Sequence, residues 1–276
     1  MSKRDNSRGP TEGRLPQEGD AGGKKIIMSQ SVVELLEIER GIIQVKMQDR
    51  IHKNTFTLEM THGLRQAFKA IEDDSTCKVV ILTGYDNYFA TGGTQEGLLA
   101  IHEGVSRFTD ENIYSLALGC KVPVIAAMQG HAVGGGFVMG LFSDFVVLSR
   151  ESVYTTNFMK YGFTPGMGAT YIIPKKLGFS LGEELLLNGG NYRGAELEKR
   201  GVPFPTLPRK EVMNYVMDLA RQLAEKPRFS LITLKDHLVG PLREQLPKIV
   251  EQELIMHEKT FHQAEVKERI INLFGK

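Results

Sequence analysis

The chain has 276 residues, 34 Lys and Arg against 33 Asp and Glu, and a formal net charge of +1, with 41% hydrophobic residues. That balance gives no global case for binding nucleic acid or an anionic membrane surface, and the apolar runs fall short of the ~20 residues a membrane span needs. Cys77 and Cys120 supply neither metal-ligand spacing nor a disulfide framework, which fits two reduced core thiols in a cytoplasmic protein.

Residues 1–25, the bulk of a tail set at 1–27, are polar, rich in Gly, and nearly devoid of apolar side chains. Such a stretch cannot bury enough surface to offset its ordering entropy, so it is expected to be a disordered tail. It lacks the apolar region of a secretory signal. VVELLEIERGIIQVKM (32–47) predicts a hairpin turning at Arg40–Gly41. Thr57 is placed to cap a helix, whose Met60, Leu64, Ala67, Phe68 and Ile71 share one face. KVVILTG (78–84) is a continuous β-branched run and predicts a buried strand, followed by the Gly-rich loop YDNYFATGGTQEG. Thr109, with Asp110 and Glu111 behind it, predicts a helix through about Gly119. VPVIAAMQG (122–130) predicts a second buried strand, GGGFVMGLF a helix, and DFVVLS (144–149) a third strand. Strands alternating with helices imply right-handed crossovers and a largely parallel α/β sheet. From Pro174 onward the pattern is helical: LGEELLLNG ends at Asn188–Gly189, Val212, Tyr215, Val216, Leu219 and Leu223 form one stripe, and 244–274 is amphipathic.

The segment GHAVGGG (130–136) gives up three side chains inside an apolar region. Glycine costs roughly 0.5–1 kcal/mol relative to alanine in a regular element, so the loss calls for a reason. The three glycines lie where a strand hands over to a helix, whose first amides have no partner within the helix. FATGGT (89–94) follows the neighbouring predicted strand. Strand ends of a parallel sheet open on one side, so an amide from each loop can converge on one oxygen and form an oxyanion hole. The competing reading is that both loops are tight turns with close helix–strand packing. The phosphate-loop and dinucleotide patterns are not met, because Ala195–Glu196 follows Gly194 and Met139 takes the last glycine place. GFSLG (178–182) matches the nucleophile-elbow pattern around Ser180, but no strand precedes it; Ser180 is better placed as a helix N-cap.

FATGG, GHAVGGGFVMGLFSDFVV and YGFTPGMGAT, at these separations, resemble the crotonase (enoyl-CoA hydratase/isomerase) superfamily over about residues 31–276. ILTGYDNYF, AAMQGH, NFMKYGFTPGMGAT, NYRG and KRGVPFP resemble its decarboxylating branch, which serves polyketide β-branching in bacillaene-type gene clusters. The resemblance implies an α/β spiral of ββα units (a ClpP-like core, 28–205) and a helical C-terminal region (206–276) used in oligomerisation and active-site closure. It implies a homotrimer or dimer of trimers, and no metal or resident cofactor. The implied substrate is a thioester on phosphopantetheine, carried by acyl carrier protein or CoA, whose carbonyl oxygen would take the N–H groups of Gly93 and Gly135.

The departures from the family pattern point to chemistry. Hydratases of the family place glutamates three residues after the second oxyanion glycine and seven before the proline of the Gly-x-x-Pro-Gly segment; these places are Val138 and Phe158. Without carboxylates, addition of water has no evident acid or base. Loss of CO2 from a 3-methylglutaconyl thioester needs no base: it generates a dienolate that the two amides stabilise, in an acyl pocket that Val138 and Phe158 would make apolar. The matching proton donor is His257 in ELIMHEKTF. The tyrosine and lysine of one style of this decarboxylase fall on Gly97 and Ile101, which cannot serve. His102 is adjacent and a possible substitute donor, although one step turns a helix by ~100°. His131 would orient the glycine loop, and His262 would be exposed. Arg50, His52 and Lys53 match the family's pantetheine-binding loop and, with Lys235, are candidate contacts for an acidic carrier protein. Alternatives are an enoyl-thioester isomerase or hydratase, a non-catalytic carrier-binding subunit, and a hydrolase built on Ser180.

Overall fold

The hairpin predicted at 32–47 forms as β2 (Val33–Glu39) and β3 (Ile42–Met47), but a further strand, β1 (Lys25–Ser29), pairs antiparallel with β2. The computed structural model describes residues 25–275 except residue 31; residues 25–27, assigned to the tail above, thus begin β1, and the rest of the tail lies outside the described residues. Helix α1 (Leu58–Asp73) follows, with the Thr57 side chain accepting from the Met60 amide and Met60, Leu64, Ala67, Phe68 and Ile71 buried as the periodicity requires.

Next come β4 (Val79–Thr83), β5 (Tyr88–Ala90), α2 (Gln95–His102), α3 (Leu116–Gly119), β6 (Val124–Met128), β7 (His131–Val133), α4 (Gly135–Leu141), β8 (Phe145–Ser149) and β9 (Val153–Thr155). The chain continues through α5 (Phe158–Tyr161), α6 (Ala169–Leu177), α7 (Phe179–Asn188), β10 (Asn191–Arg193), α8 (Gly194–Lys199), β11 (Thr206–Leu207), α9 (Arg209–Ala224), α10 (Arg228–Thr260) and α11 (Ala264–Leu273).

The larger sheet runs β1-β2-β3-β4-β6-β8-β11, parallel from β3 onward. Alternate residues of its central strands serve two cores. Val80, Leu82, Val124 and Ala126 face the main core, while Val79, Ile81, Ile125 and Ala127 pack under α9. Covering on both faces explains why these strands are continuously apolar. The buried stripe of α9 is Val212, Val216 and Ala220; Tyr215, expected on it, is exposed.

The smaller sheet runs β10-β9-β7-β5, with β5, β7 and β9 parallel. It changes the origin of the two glycine loops. They leave the three-residue strands β5 and β7, which pair with each other, rather than the long central strands. The helix expected from Thr109 is reduced to Leu116–Gly119. Polar side chains satisfy this segment locally instead: Asp110 Oδ2 accepts from the Arg107 amide at 2.7 Å, and the Ser115 hydroxyl bonds the Asn112 side chain. Ser180 is exposed in the first turn of α7, and the cap position is Gly178. Helix α6 precedes it, so the strand-to-helix elbow needed for a nucleophile is not there.

Candidate active site

The two glycine loops touch. A Cβ on Gly92, whose φ is +79°, would stand 3.0 Å from the Val133 carbonyl oxygen and 3.1 Å from the Gly135 nitrogen. The first loop is fixed from below: the Phe56 amide donates to the Gly92 carbonyl at 2.7 Å, and Thr91 Oγ1 donates to the Lys53 carbonyl at 2.8 Å. Its far end is fixed by Thr94, which caps α2 through the Gly97 amide at 3.0 Å. The second loop is fixed by the Gly134 amide, which donates to the Thr155 carbonyl at 2.9 Å. Among the described residues, neither the Gly93 nor the Gly135 N–H donates to a loop, turn or cap carbonyl. Both glycines line one cavity of about 580 Å³.

The triple glycine thus serves close packing and the site together. At Gly136 a Cβ would sit 2.2 Å from the Ala90 carbonyl oxygen, so helix and strand pack there without room for a side chain. At Gly135 it would meet Met167 Sδ at 2.8 Å and Phe56 Cε2 at 2.9 Å, which keeps the backbone at the cavity wall.

His257 reaches this cavity from α10. It is 7% exposed and lies among Phe108, Phe261 and Phe163, with ring centroids at 4.8, 5.0 and 6.1 Å. The backbone carbonyl of Thr164 holds one ring nitrogen, and Nε2 has no partner. Burial lowers its pKa to about 4, against the helping pull of the Thr164 bond and Glu258. The free protein therefore presents a neutral imidazole at the cavity wall, with Nε2 buried and without a partner.

The other expected residues divide. Phe158 lines the cavity, but Val138 is fully buried in α4 and does not. His102 also stays outside: its Nε2 lies 3.2 Å from the Gln263 carbonyl oxygen, and His262, exposed, donates to the His102 carbonyl at 2.7 Å. His131 Nδ1 accepts from the Val153 amide at 2.9 Å, with its pKa lowered by burial, which keeps it neutral as a clamp between β7 and β9. Lys235 is not a surface contact. It is buried, with Nζ 2.7 Å from Asp144 Oδ2 and bonded to the Ala117 and Val122 carbonyls.

A second groove, of about 720 Å³, adjoins the cavity and shares Thr91, Thr94, Asn157 and Tyr161 with it. His52 and Lys53 line this groove; Arg50 does not, being paired with Asp86 at 2.5 Å over the Tyr85 ring. His52 Nδ1 is 2.9 Å from Asp49, and Lys53 Nζ lies 5.7 Å from the centre of the Tyr88 ring.

Three groups at the site escape sequence reasoning. Arg107 is the only lysine or arginine among the described residues lining the cavity. Phe108, beside it, covers His257. Both sit in the segment whose Thr109 resembles a helix start. Met167 touches Gly135 from the turn after Pro165. Among the described residues no group of three or more His, Cys, Asp or Glu could hold a metal ion, and no helix is long and apolar enough to cross a membrane.

Known proteins share this fold. The chain is 71% identical over 248 residues to the bacillaene synthase decarboxylase PksI of Bacillus subtilis, covering 90% of this chain and 100% of that one. It superposes with a TM-score of 0.89 and 71% identity on a solved structure from a dehydratase/decarboxylase enzyme couple involved in polyketide β-branching, covering 89% and 100% of the two chains. The decarboxylase domain ECH2 of CurF from Lyngbya majuscula superposes at 0.85 with 44% identity, over 89% of this chain and 100% of that domain. The enoyl-CoA hydratase/isomerase family model matches residues 37–274, a span that includes both glycine loops and His257, and the chain belongs to that family, the crotonases.

Proposed function

We propose that this chain is an acyl-thioester decarboxylase of polyketide β-branching, converting a 3-methylglutaconyl-type thioester on acyl carrier protein into a 3-methylcrotonyl-type thioester. The observation that carries it is a pair of backbone amides at one cavity, in a chain whose two hydratase carboxylate places hold Val138 and Phe158; the acids that line the cavity, Glu96, Asp110 and Glu111, lie elsewhere in the chain. The 71% identity to PksI supports the same reaction class.

The thioester carbonyl accepts from Gly93 and Gly135. The bond from the γ carbon to the carboxylate breaks, its electron pair passes through the conjugated system to the thioester oxygen, and CO2 leaves. The two amides stabilise the resulting dienolate; one such donor contributes about 2.7–4 kcal/mol in other enzymes. A proton then adds at the γ carbon. His257 is the donor, and it must first gain a proton at Nε2, because the Thr164 carbonyl holds the other ring nitrogen. The substrate carboxylate favours that gain by bringing a negative charge into the cavity. Arg107, exposed at the rim, attracts the same carboxylate.

The groove beside the cavity, with His52 and Lys53 on its wall, suits the phosphopantetheine arm. Arg50, beyond the groove, is left for the carrier surface. The C-terminal region supplies His257 from α10, and Phe261 and Phe274 from just beyond α10 and α11, to the cavity, which fits a closing role. Phe229, Leu234 and Leu238 of α10 are 80%, 58% and 67% exposed, which fits a homotrimer or dimer of trimers.

The test is the intact mass of carrier protein loaded with 3-methylglutaconyl, with and without this protein. Loss of one CO2 is expected. Gain of water would favour a hydratase, and an unchanged mass with retained carrier binding would favour a binding subunit.

A further inference from the structure

The turn that separates Phe163 from α6 holds two consecutive left-handed residues, Met167 at φ +63° and Gly168 at φ +73°. Methionine rarely adopts this conformation, because its Cβ crowds the backbone. Something must over-determine it. Two contacts hold the turn: the Ala169 amide donates to the Gly166 carbonyl at 3.1 Å across it, and Glu253 on α10, fully buried, anchors it to that helix. Its Oε2 accepts from the Gly168 amide at 2.6 Å. Its Oε1 accepts from the Thr170 amide at 2.9 Å and the Thr170 hydroxyl at 2.6 Å. The two amides open α6, where no intrahelical carbonyl reaches them. Burial raises the Glu253 carboxyl pKa while these donors oppose it.

The turn meets the active site at two points. Met167 Sδ lies 2.8 Å from where a Gly135 Cβ would stand, and a Cβ on Gly166 would lie 3.0 Å from His257 Nε2. Glu253 and His257 are four residues apart on α10, and so on one face of that helix. One carboxylate therefore ties the helix that carries the imidazole to the turn that backs the oxyanion amide.

We propose that Glu253 is a positioning residue for the decarboxylation: by clamping the Met167–Gly168 turn it holds the Gly135 amide and His257 in one geometry. It does not line the cavity and touches no reacting atom. This rests on the decarboxylase reading above. In Glu253→Gln the new side-chain NH2 would face one of the clamped donors, so the turn would keep its own Ala169–Gly166 bond but lose part of its anchor to α10.

The experiment uses the full chain as Glu253→Gln, Thr170→Val and Thr170→Ser. It reads kcat and KM for CO2 loss from loaded carrier, the thermal midpoint, and the His257 ring resonances by NMR. Glu253→Gln is expected to lower kcat roughly 10- to 100-fold, as small misplacements of catalytic groups do, with KM changed less than about threefold and the ring resonances shifted. Thr170→Val, which loses only the hydroxyl bond, should fall between, and Thr170→Ser should restore the wild-type values. Wild-type kcat and wild-type ring resonances in Glu253→Gln would overturn the proposal, as would a loss of thermal midpoint with both unchanged. Should Glu253→Gln not fold, the Thr170 pair decides by the same readings. If the wild-type protein releases no CO2, the decarboxylase reading falls, while the His257 resonances still test the clamp.

Discussion

At the residue scale the two amides and the imidazole do different work, and substitutions can separate them. A Cβ on Gly93 would meet only Leu98 side-chain atoms, at 3.6 and 3.7 Å, so the position has room for a methyl group. Gly93→Ala keeps the N–H and should retain turnover within about tenfold, whereas Gly93→Pro removes it and should lose roughly 10²–10³-fold in kcat. Similar losses in both variants, measured as CO2 release, would mean that shape rather than the N–H matters. His257 has a signature in stability. Its pKa is about 4 in the fold against an ordinary 6.5, so between these values the unfolded chain binds the proton that the folded chain refuses. Stability from this group is fully present above pH 6.5 and is lost as pH falls toward 4, by about 3 kcal/mol in total. Denaturation midpoints across that window should fall less steeply in His257→Gln; equal slopes in the two proteins would sink the assignment.

At the element scale the segment between α2 and α3 decides how the substrate's carboxylate is met. Because Asp110 accepts from the Arg107 amide and the chain turns there instead of forming a helix, Arg107 and Phe108 both reach the cavity. An exposed charge pair contributes about 1 kcal/mol or less. Arg107→Gln should therefore raise KM for the carboxylated thioester up to about fivefold and leave binding of the uncharged product unchanged; equal weakening of both would show packing rather than charge. This segment also marks where sequence legibility ends. The β2–β3 hairpin, α1 with its Thr57 cap and the central strands were legible, because each rests on local periodicity, and the meeting of the two glycine loops at one cavity followed from their Gly-rich motifs. Arg107 was hidden, since Thr109 followed by two acids is also the signal of a helix start. Val138 follows the family's spacing but faces the core, because α4 is buried on every side. Lys235 was a candidate carrier contact and nothing local singled out Glu253; only the tertiary fold brings Asp144 to one and the amides of α6 to the other.

At the scale of the whole molecule, α10 works on two sides. Its inner face carries His257 to the cavity and Glu253 to the turn behind it, and its outer face shows Phe229, Leu234 and Leu238 to solvent in the single chain. Leu234 and Leu238 are one turn apart, so they form a ridge of the kind that packs into a groove of another subunit. Large exposed apolar ridges are uncommon on monomers, and their burial between copies would stabilise an oligomer at roughly 25 cal/mol per Å². Leu238→Glu, on the outer face and away from the cavity lining, should shift the protein toward monomer in sedimentation or light scattering. Because α10 also positions His257, monomerisation should lower CO2 release as well, and raising the protein concentration should recover part of both. A monomeric wild-type protein would remove the oligomer from this account, and full activity in a monomeric Leu238→Glu protein would show that α10 holds His257 in place without a neighbouring subunit.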